Sequence, residues 1–291
     1  MKAVLFLPIF FNIAISFNTI IKQPASVIAN LATPADTIPP RDLPGQTIEP
    51  ELKKYYDEYN VDGMFAFYDP QKNNYIYYNK QKIGQKITPA STFNIVLALI
   101  GLEEKILKDK SSLLKFEDSL RLGNPNSDKD QTLEDAFKNN RDWFFKVLSR
   151  KIGQQKIKKW LQKIHYGNES TEGQPNFFWV NGNLLITPEQ QLGFIQKFYR
   201  EALPFKKENI AIVKELLHED AITDMNIFGK RGSNKIPSQK KYTGWYVGYL
   251  KTAKGIYFLT SYLESPDLEH PKLVDAQKQI PFKILRQLQL N

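Results

Sequence analysis

The stretch TPASTFNIVLALIGLEE, residues 88–104, predicts a buried helix whose first turn carries a serine. Almost every position after Asn94 is apolar, and a helix that is apolar on all sides belongs inside a protein. Ser91 follows Pro-Ala at the start of this helix, where serine is a favourable N-cap. Asn94 lies one turn later, within the apolar run. Because an unpaired buried amide group costs about 1–3 kcal/mol, we expect its side chain to bond with Asn140 or Asp142.

The composition is that of a globular protein. The 291 residues are 42% apolar and 24% charged, enough for one large domain or two smaller ones. The 40 basic residues exceed the 31 acidic ones and give a net charge of +9. Because the basic residues are scattered and form no stripe with aromatic residues, we expect no nucleic-acid partner. The basic surface favours anionic ligands or an anionic membrane face.

Cysteine is absent, which excludes disulfides, thiolate metal sites and lipid modification of a cysteine. The three histidines, His165, His218 and His270, are far apart in the sequence and lack the spacing of metal ligands. We therefore expect neither a metal ion nor a cofactor.

The N-terminal residues predict an export signal. Lys2 is followed by an uncharged stretch over residues 3–21, and small residues suited to a signal peptidase occur up to residue 29. We expect residues 1–29 to be removed and the protein to be periplasmic. The alternative is an uncleaved membrane anchor, because the stretch is just long enough to span a bilayer, although proline and asparagine interrupt it.

The rest of the chain predicts a linker followed by a folded domain. Residues 30–50 contain five prolines and predict an extended linker, so the domain is expected over 51–291. Hydrophobic periodicity predicts strands at 64–69, 74–79, 221–232, 242–253 and 255–264, and helices at 91–107, 142–164 with a break at Gly153, 187–203, 209–218 and 271–291. Strands at both ends of the chain with helices between them indicate an α/β (α+β) protein with two lobes. One lobe is an antiparallel sheet flanked by helices, and the other is all helical.

Several segments of the sequence resemble motifs of the class D serine β-lactamases, the oxacillinases, and of the related penicillin-sensor domains. The likeness extends over most of residues 60–285 and is carried by TPASTFN with ALIGLE, GMFAFYDPQKNNYIYYN, KDQTLEDAFKNN, HYGN, FWVNGNLLITPEQQLGFIQKFY, GKRG and GWYVGYL. The resemblance implies a β-lactamase/transpeptidase-like fold without a cofactor. It also implies a β-lactam or a peptidoglycan-peptide-like molecule as the ligand.

The resemblance implies catalytic positions that this sequence fills only in part. Ser91 matches the serine nucleophile of the family, whose base is a carbamylated lysine one helical turn later; here that position is Asn94. A carboxamide neither titrates usefully nor forms a carbamate. The second motif, which begins with a serine, falls on Asn140-Arg141-Asp142. The hydroxyl that relays protons is therefore absent, and a carboxylate replaces an apolar side chain.

The substrate-binding positions also differ from the family pattern. The strand motif of lysine, threonine or serine, then glycine is Lys230-Arg231-Gly232 in this chain. Trp179 matches a tryptophan that lines the base pocket in the family. Gln277 falls where an arginine normally holds the substrate carboxylate, and Arg231 is a candidate replacement for that arginine.

Three functions remain open from the sequence. We expect an exported, class D-like protein with a degraded site that binds a ligand with weak or no hydrolysis. The first alternative is a divergent but active penicillin hydrolase, in which Asp142 replaces the missing base; Asp142 could instead only cap the following helix. The second alternative is a sensor domain in which penicillin acylates Ser91 and the adduct persists.

Overall fold

The computed structural model describes residues 45–121, 123, 126–219 and 225–288. The expected export signal, residues 1–29, lies outside the described residues, as does most of the expected linker. Across the described ranges, no helix is long and apolar enough to cross a membrane.

A six-stranded sheet forms the centre of the described fold. Its strand order is β1-β3-β2-β8-β7-β6, and a separate two-stranded sheet pairs β4 with β5. The strands are β1 (Gly45–Ile48), β2 (Asp62–Asp69), β3 (Asn74–Tyr78), β4 (Leu113–Leu114), β5 (Gln131–Thr132), β6 (Asn226–Ile236), β7 (Lys241–Thr252) and β8 (Gly255–Ser265). All neighbouring strands are antiparallel except β1 and β3, which run parallel.

Helices pack on both faces of the six-stranded sheet. Most come from the middle of the chain, and the last one follows β8. They are α1 (Lys53–Asp57), α2 (Asn94–Glu103), α3 (Leu133–Lys138), α4 (Asp142–Ile152), α5 (Gln154–Ile164), α6 (Phe178–Asn181), α7 (Pro188–Tyr199), α8 (Lys207–Leu216) and α9 (Leu273–Gln287). The predicted fold class is confirmed, because the N-terminal and C-terminal strands join in one sheet and the central segment is helical.

The folded part begins earlier than residue 51. Residues 45–48, which we expected to belong to the linker, form β1 and pair with β3, with Gly45 opposite Asn74. These four residues contain no proline, so their backbone N–H groups are available for a strand ladder. A free edge of β3 provides the matching donors and acceptors.

Side chains of β6 alternate between two hydrophobic clusters, one on each face of the sheet. Phe228 packs in the cluster that contains α2, and the adjacent Ile227 packs in the cluster that contains α9. Every residue of α2 from Asn94 to Leu102 is buried, as the apolar sequence predicts. Alternation along β6 therefore decides which of its side chains share a face with the start of α2.

Candidate active site

Ser91 lies in a 3-10 turn, Ala90–Phe93, that leads directly into α2. The Thr92 hydroxyl donates to the Pro89 carbonyl at 2.6 Å and accepts from Gln191 Nε2 at 2.8 Å. These bonds join the turn to α7 and hold its backbone in place. Ser91 is only 7% exposed, and its hydroxyl makes no hydrogen bond with the described residues.

Strand β6 passes very close to this turn. A Cβ atom placed on Gly232 would lie 2.8 Å from the backbone nitrogen of Ser91 and 2.7 Å from that of Thr92. Only glycine allows the strand to approach the serine so closely. The strand motif and the serine turn therefore meet, as the resemblance implies, with Gly232 at the contact.

Asn94 is buried without a protein partner. It is 1% exposed, and neither Nδ2 nor Oδ1 has a hydrogen-bond partner among the described residues. The bond that we expected with Asn140 or Asp142 is absent. Asn140 adopts a left-handed backbone conformation with φ of 50°, and its own Oδ1 is also buried and unpaired. Asp142 is exposed and makes no hydrogen bond with the Asn94 amide.

The second-motif residues lie between α3 and α4. Helix α4 begins at Asp142 itself, and no side-chain hydrogen bond caps it, so the capping role suggested for Asp142 is not formed. Arg141 is the residue at the N-cap, and its Nε is buried without a partner in the described part of the chain. Loss of hydration around its carboxyl group raises the pKa of Asp142. The positive charges of Lys146 and Lys230 lower that pKa.

Lys230 is a buried lysine bound to a neutral acceptor. It is 4% exposed, its ammonium group donates to the carbonyl oxygen of Phe137 in α3, and it lies 4.1 Å from the centroid of the Phe137 ring. Burial, followed by the charge of Arg231, lowers the pKa of Lys230 to about 7. Near neutral pH this side chain is therefore divided between the ammonium and amine forms.

Trp179 packs against the turn from the α6 side. It is 1% exposed, and its ring centroid lies 5.6 Å from that of Phe93, the residue before Asn94. The rings of Phe177 and Phe178 complete the contact with edge-on geometry. Its indole N–H makes no hydrogen bond within the described ranges. Trp179 thus forms an apolar wall beside the start of α2.

The Tyr166-Gly167-Asn168 motif supports the wall of the site. Gly167 has φ of 57°, and a Cβ there would lie 2.2 Å from the Leu185 carbonyl oxygen. Asn168 Nδ2 donates to the carbonyl of Asn183 at 2.7 Å, and the Leu185 N–H donates to Asn168 Oδ1 at 2.9 Å. The motif therefore fastens the loop before α7 to the loop after α5.

The structure does not bring Arg231 or Gln277 to Ser91. Arg231 lies opposite Tyr246 in the ladder, and Tyr246 packs on Phe282 of α9, so this pair occupies the other face of the sheet. Gln277 of α9 is 2% exposed and donates to the hydroxyl of Tyr242. Strand alternation sends Lys230 and Arg231 to opposite faces, which explains why Arg231 does not replace the missing arginine here.

A groove of about 580 Å³ lies next to the serine turn, and Ser91 itself is not among its lining residues. Its lining includes Thr88, three residues before Ser91, and Asn234, two residues beyond Gly232 on the same face of β6. Asn234 Nδ2 donates to the Val180 carbonyl at 2.8 Å. Sequence reasoning did not identify Asn234, although the two-residue period of β6 places it on the face of Gly232.

Charged groups near the groove do not form a metal site. Among the described residues, no group of three or more His, Cys, Asp or Glu side chains could hold a metal ion. In the motifs around Ser91, burial raises the pKa of the Tyr166 hydroxyl, and the pKa values of Asp142 and Lys230 are shifted as described above.

Comparison with known proteins places these features in a family. Residues 56–283 match the family described as Penicillin binding protein transpeptidase domain. The probable β-lactamase YbxI of Bacillus subtilis is 34% identical over 225 residues, which cover 77% of this chain and 83% of that protein.

Solved structures show the same relationship. The class D β-lactamase of Sebaldella termitidis has a TM-score of 0.78 and 28% identity, and the match covers 85% of this chain and 99% of that one. The C-terminal domain of the Bacillus licheniformis BlaR penicillin-receptor has a TM-score of 0.77 and 27% identity, covering 85% and 98%. The chain therefore belongs to the penicillin-binding protein transpeptidase family, among its class D β-lactamases and related penicillin-receptor domains.

Proposed function

We propose that this protein binds β-lactams at the Ser91 site and turns them over slowly or not at all. The observation that carries the proposal is Asn94, a buried carboxamide without a protein partner one helical turn after the serine. At this position the family has the lysine that serves as its base. The Ser91 hydroxyl also makes no bond to a base within the described residues.

The missing base lowers the reaction rate by an amount that can be calculated. A general base contributes about 10²–10⁴-fold to a rate, which corresponds to about 2.7–5.5 kcal/mol of activation free energy. The loss applies to acylation of Ser91 and again to hydrolysis of the ester, since both steps remove a proton from an oxygen nucleophile. A ligand can still be recognised, because recognition depends on shape and hydrogen bonds rather than on a base.

Two observations support recognition of a β-lactam. The groove beside the turn has a volume of about 580 Å³, within the range of small-molecule sites. One similar structure is described as a penicillin-receptor domain, which makes a β-lactam the first ligand to test. A peptidoglycan-peptide-like molecule shares the amide chemistry of that ligand and is the second.

We also propose that the protein acts outside the cytoplasm. The support is the N-terminal sequence, in which Lys2 precedes an uncharged stretch typical of an export signal. β-Lactams and peptidoglycan peptides are both encountered there. Fractionation of cells that express the full chain tests this point, and recovery of the unprocessed chain from the cytoplasm alone would contradict it.

The proposal is tested by measuring binding and turnover together. Benzylpenicillin binding is followed by isothermal titration calorimetry and intact-protein mass spectrometry, and hydrolysis by a chromogenic cephalosporin. We expect saturable binding, weakened by changes in the groove such as Asn234→Ala, and turnover at least about 10²-fold below that of a class D enzyme assayed in parallel. Absence of binding, or turnover equal to that of the enzyme, would overturn the proposal.

An active hydrolase is a second candidate, favoured by the desolvation that raises the pKa of Asp142. A carboxylate with a raised pKa has the chemistry of a general base, and Asp142 belongs to the second motif of the family. The variant Asp142→Asn keeps the size of the side chain and removes its basicity. If it slows Ser91 acylation or turnover by about 10²-fold or more, Asp142 is the base and the hydrolase is favoured.

A further inference from the structure

Lys230 and the Ser91 turn lie on the same side of β6. Lys230 and Gly232 are two residues apart on one strand, so they share a face and are separated by about 6.6 Å. Gly232 is the residue whose Cβ position lies 2.8 Å from the Ser91 nitrogen. The flexible four-carbon stem of lysine covers a distance of this order.

The Lys230 amine is not committed to a carboxylate. Its hydrogen-bond acceptor is the carbonyl of Phe137, which also accepts the backbone N–H of Asn140 at 3.4 Å. Asn140 occupies the place of the serine hydroxyl in the family motif. Within the described part of the chain Lys230 has no ion pair, so no opposite charge holds its side chain in place.

From this geometry we propose that Lys230 accepts the Ser91 proton in a single acylation of the protein by a β-lactam. The inference rests on the proposed function and extends it, because it makes the protein an acyl acceptor of the sensor type. Lys230 thereby takes over the step for which α2 provides no base. Hydrolysis of the ester remains slow, because the family activates the water from the position of Asn94, where this chain has no base.

The proton transfers balance without another reactant. The neutral amine takes the proton of Ser91 Oγ while Oγ forms a bond to the β-lactam carbonyl carbon. The carbon–nitrogen bond of the four-membered ring then breaks, and its nitrogen takes a proton from the Lys230 ammonium. The products are the Ser91 ester of the opened ring and a neutral Lys230, with no net gain or loss of protons.

Burial and several charges around Lys230 set the pH at which the amine is available. Burial lowers the pKa of Lys230 most, the charge of Arg231 on the same strand lowers it further, and Glu219 and Asp142 raise it, with a resulting value of about 7. Other charged or titratable side chains that line the adjoining cavity of about 230 Å³ are Lys138, His218 and Lys278. Acylation is therefore expected to accelerate as the pH rises towards 7 and to level off above it.

The test is the acylation rate of Ser91 by a fluorescent penicillin between pH 5.5 and 9, with the adduct confirmed by mass spectrometry. Below pH 7 we expect the rate to rise by about tenfold per pH unit, and Lys230→Met to lose about 10²-fold or more. Lys230→Arg should be equally slow, because it keeps the charge but cannot accept the proton at these pH values.

A matched control is Lys251→Met. Lys251 lies half-buried on the neighbouring strand with its ammonium 4.5 Å from the Phe228 ring centroid, so it shares the cation–π contact of Lys230 but not its full burial. Its acylation rate should equal that of the parent. Thermal unfolding shows whether the variants fold; if Lys230→Met does not, the pH profile of the parent decides.

The outcomes separate this inference from the proposed function. Equal rates in the parent and both Lys230 variants, or a parent rate independent of pH between 6 and 8, overturn the role of Lys230. Penicillin binding by calorimetry without any acylation also overturns it, while the proposed binding function stands. Absence of both binding and acylation overturns the two together.

Discussion

Replacing Asn94 with leucine is expected to make the folded protein more stable. Asn94 is 1% exposed, and both of its polar side-chain atoms lack a partner among the described residues. Each unpaired group costs about 1–3 kcal/mol in the folded state, and leucine removes both groups at similar volume. The branched side chain meets a close-packed helix, and strain of about 1–3 kcal/mol offsets part of the gain. The net increase expected in the free energy of unfolding is about 1–3 kcal/mol.

Urea unfolding of Asn94→Leu measures this change, and thermal unfolding provides a second reading. For a protein of this size, each kcal/mol shifts the melting temperature by about 2–4 °C. The matched control is Asn209→Leu. Asn209 is 8% exposed, and its amide donates to the Glu103 carboxylate at 2.7 Å, so the control should lose stability. The net contribution of one hydrogen bond to stability is about 1 kcal/mol. If Asn94→Leu lowers the free energy of unfolding by that amount or more, the conclusion that the Asn94 amide is unpaired is refuted.

Three further changes have definite expected outcomes. Gly232→Ala should lower stability by about 1–3 kcal/mol and abolish penicillin binding, because its Cβ meets the serine turn. The control, Gly193→Ala, should be neutral or stabilising in unfolding assays, since a Cβ there meets nothing within 4 Å. Partial burial raises the pKa of Glu264, but hydrogen bonds from two lysines and a tyrosine lower it to about 2. Its stabilising contribution is present above the unfolded pKa of about 4.3 and disappears as the pH falls towards 2, so Glu264→Gln should unfold with a weaker pH dependence between those values. Finally, Asn94→Lys should not restore hydrolysis, since the second motif lacks its hydroxyl; bicarbonate-dependent turnover of cephalosporin by this variant would contradict that expectation.

Local sequence patterns were sufficient to predict five strands of the six-stranded sheet and the longer helices in their order, but not the short elements β1, β4, β5, α1, α3 and α6. The apolar run after Asn94 predicted the buried helix α2, and the break at Gly153 predicted the division between α4 and α5. The start of α7 was also predictable, because Thr187 at its N-cap and Gln190 in its first turn form a capping box. Such features depend on residues within one or two helical turns, so the sequence contains the necessary information.

Pairing of separated segments was less accessible to the sequence. β1 looked like the end of a proline-rich linker because its pattern is short and polar, and only the free edge of β3 makes it a strand. Strand alternation by itself places Lys230 and Arg231 on opposite faces of the sheet. The contact of Gln277 with Tyr242 could not be predicted in this way, because it depends on where α9 packs on the sheet. These contacts join parts of the chain whose spacing is not fixed by local periodicity.

The chemical state of the site was decided by tertiary structure. The sequence predicted that Ser91, Asn94 and Lys230 belong to one site, and it predicted that Asn94 is buried. It could not show that the Asn94 amide is unpaired, or that Lys230 is desolvated against the carbonyl of Phe137, 93 residues earlier in the chain. Pairing and desolvation depend on which atoms surround a group, and those atoms are brought together only by the complete packing of helices on the sheet.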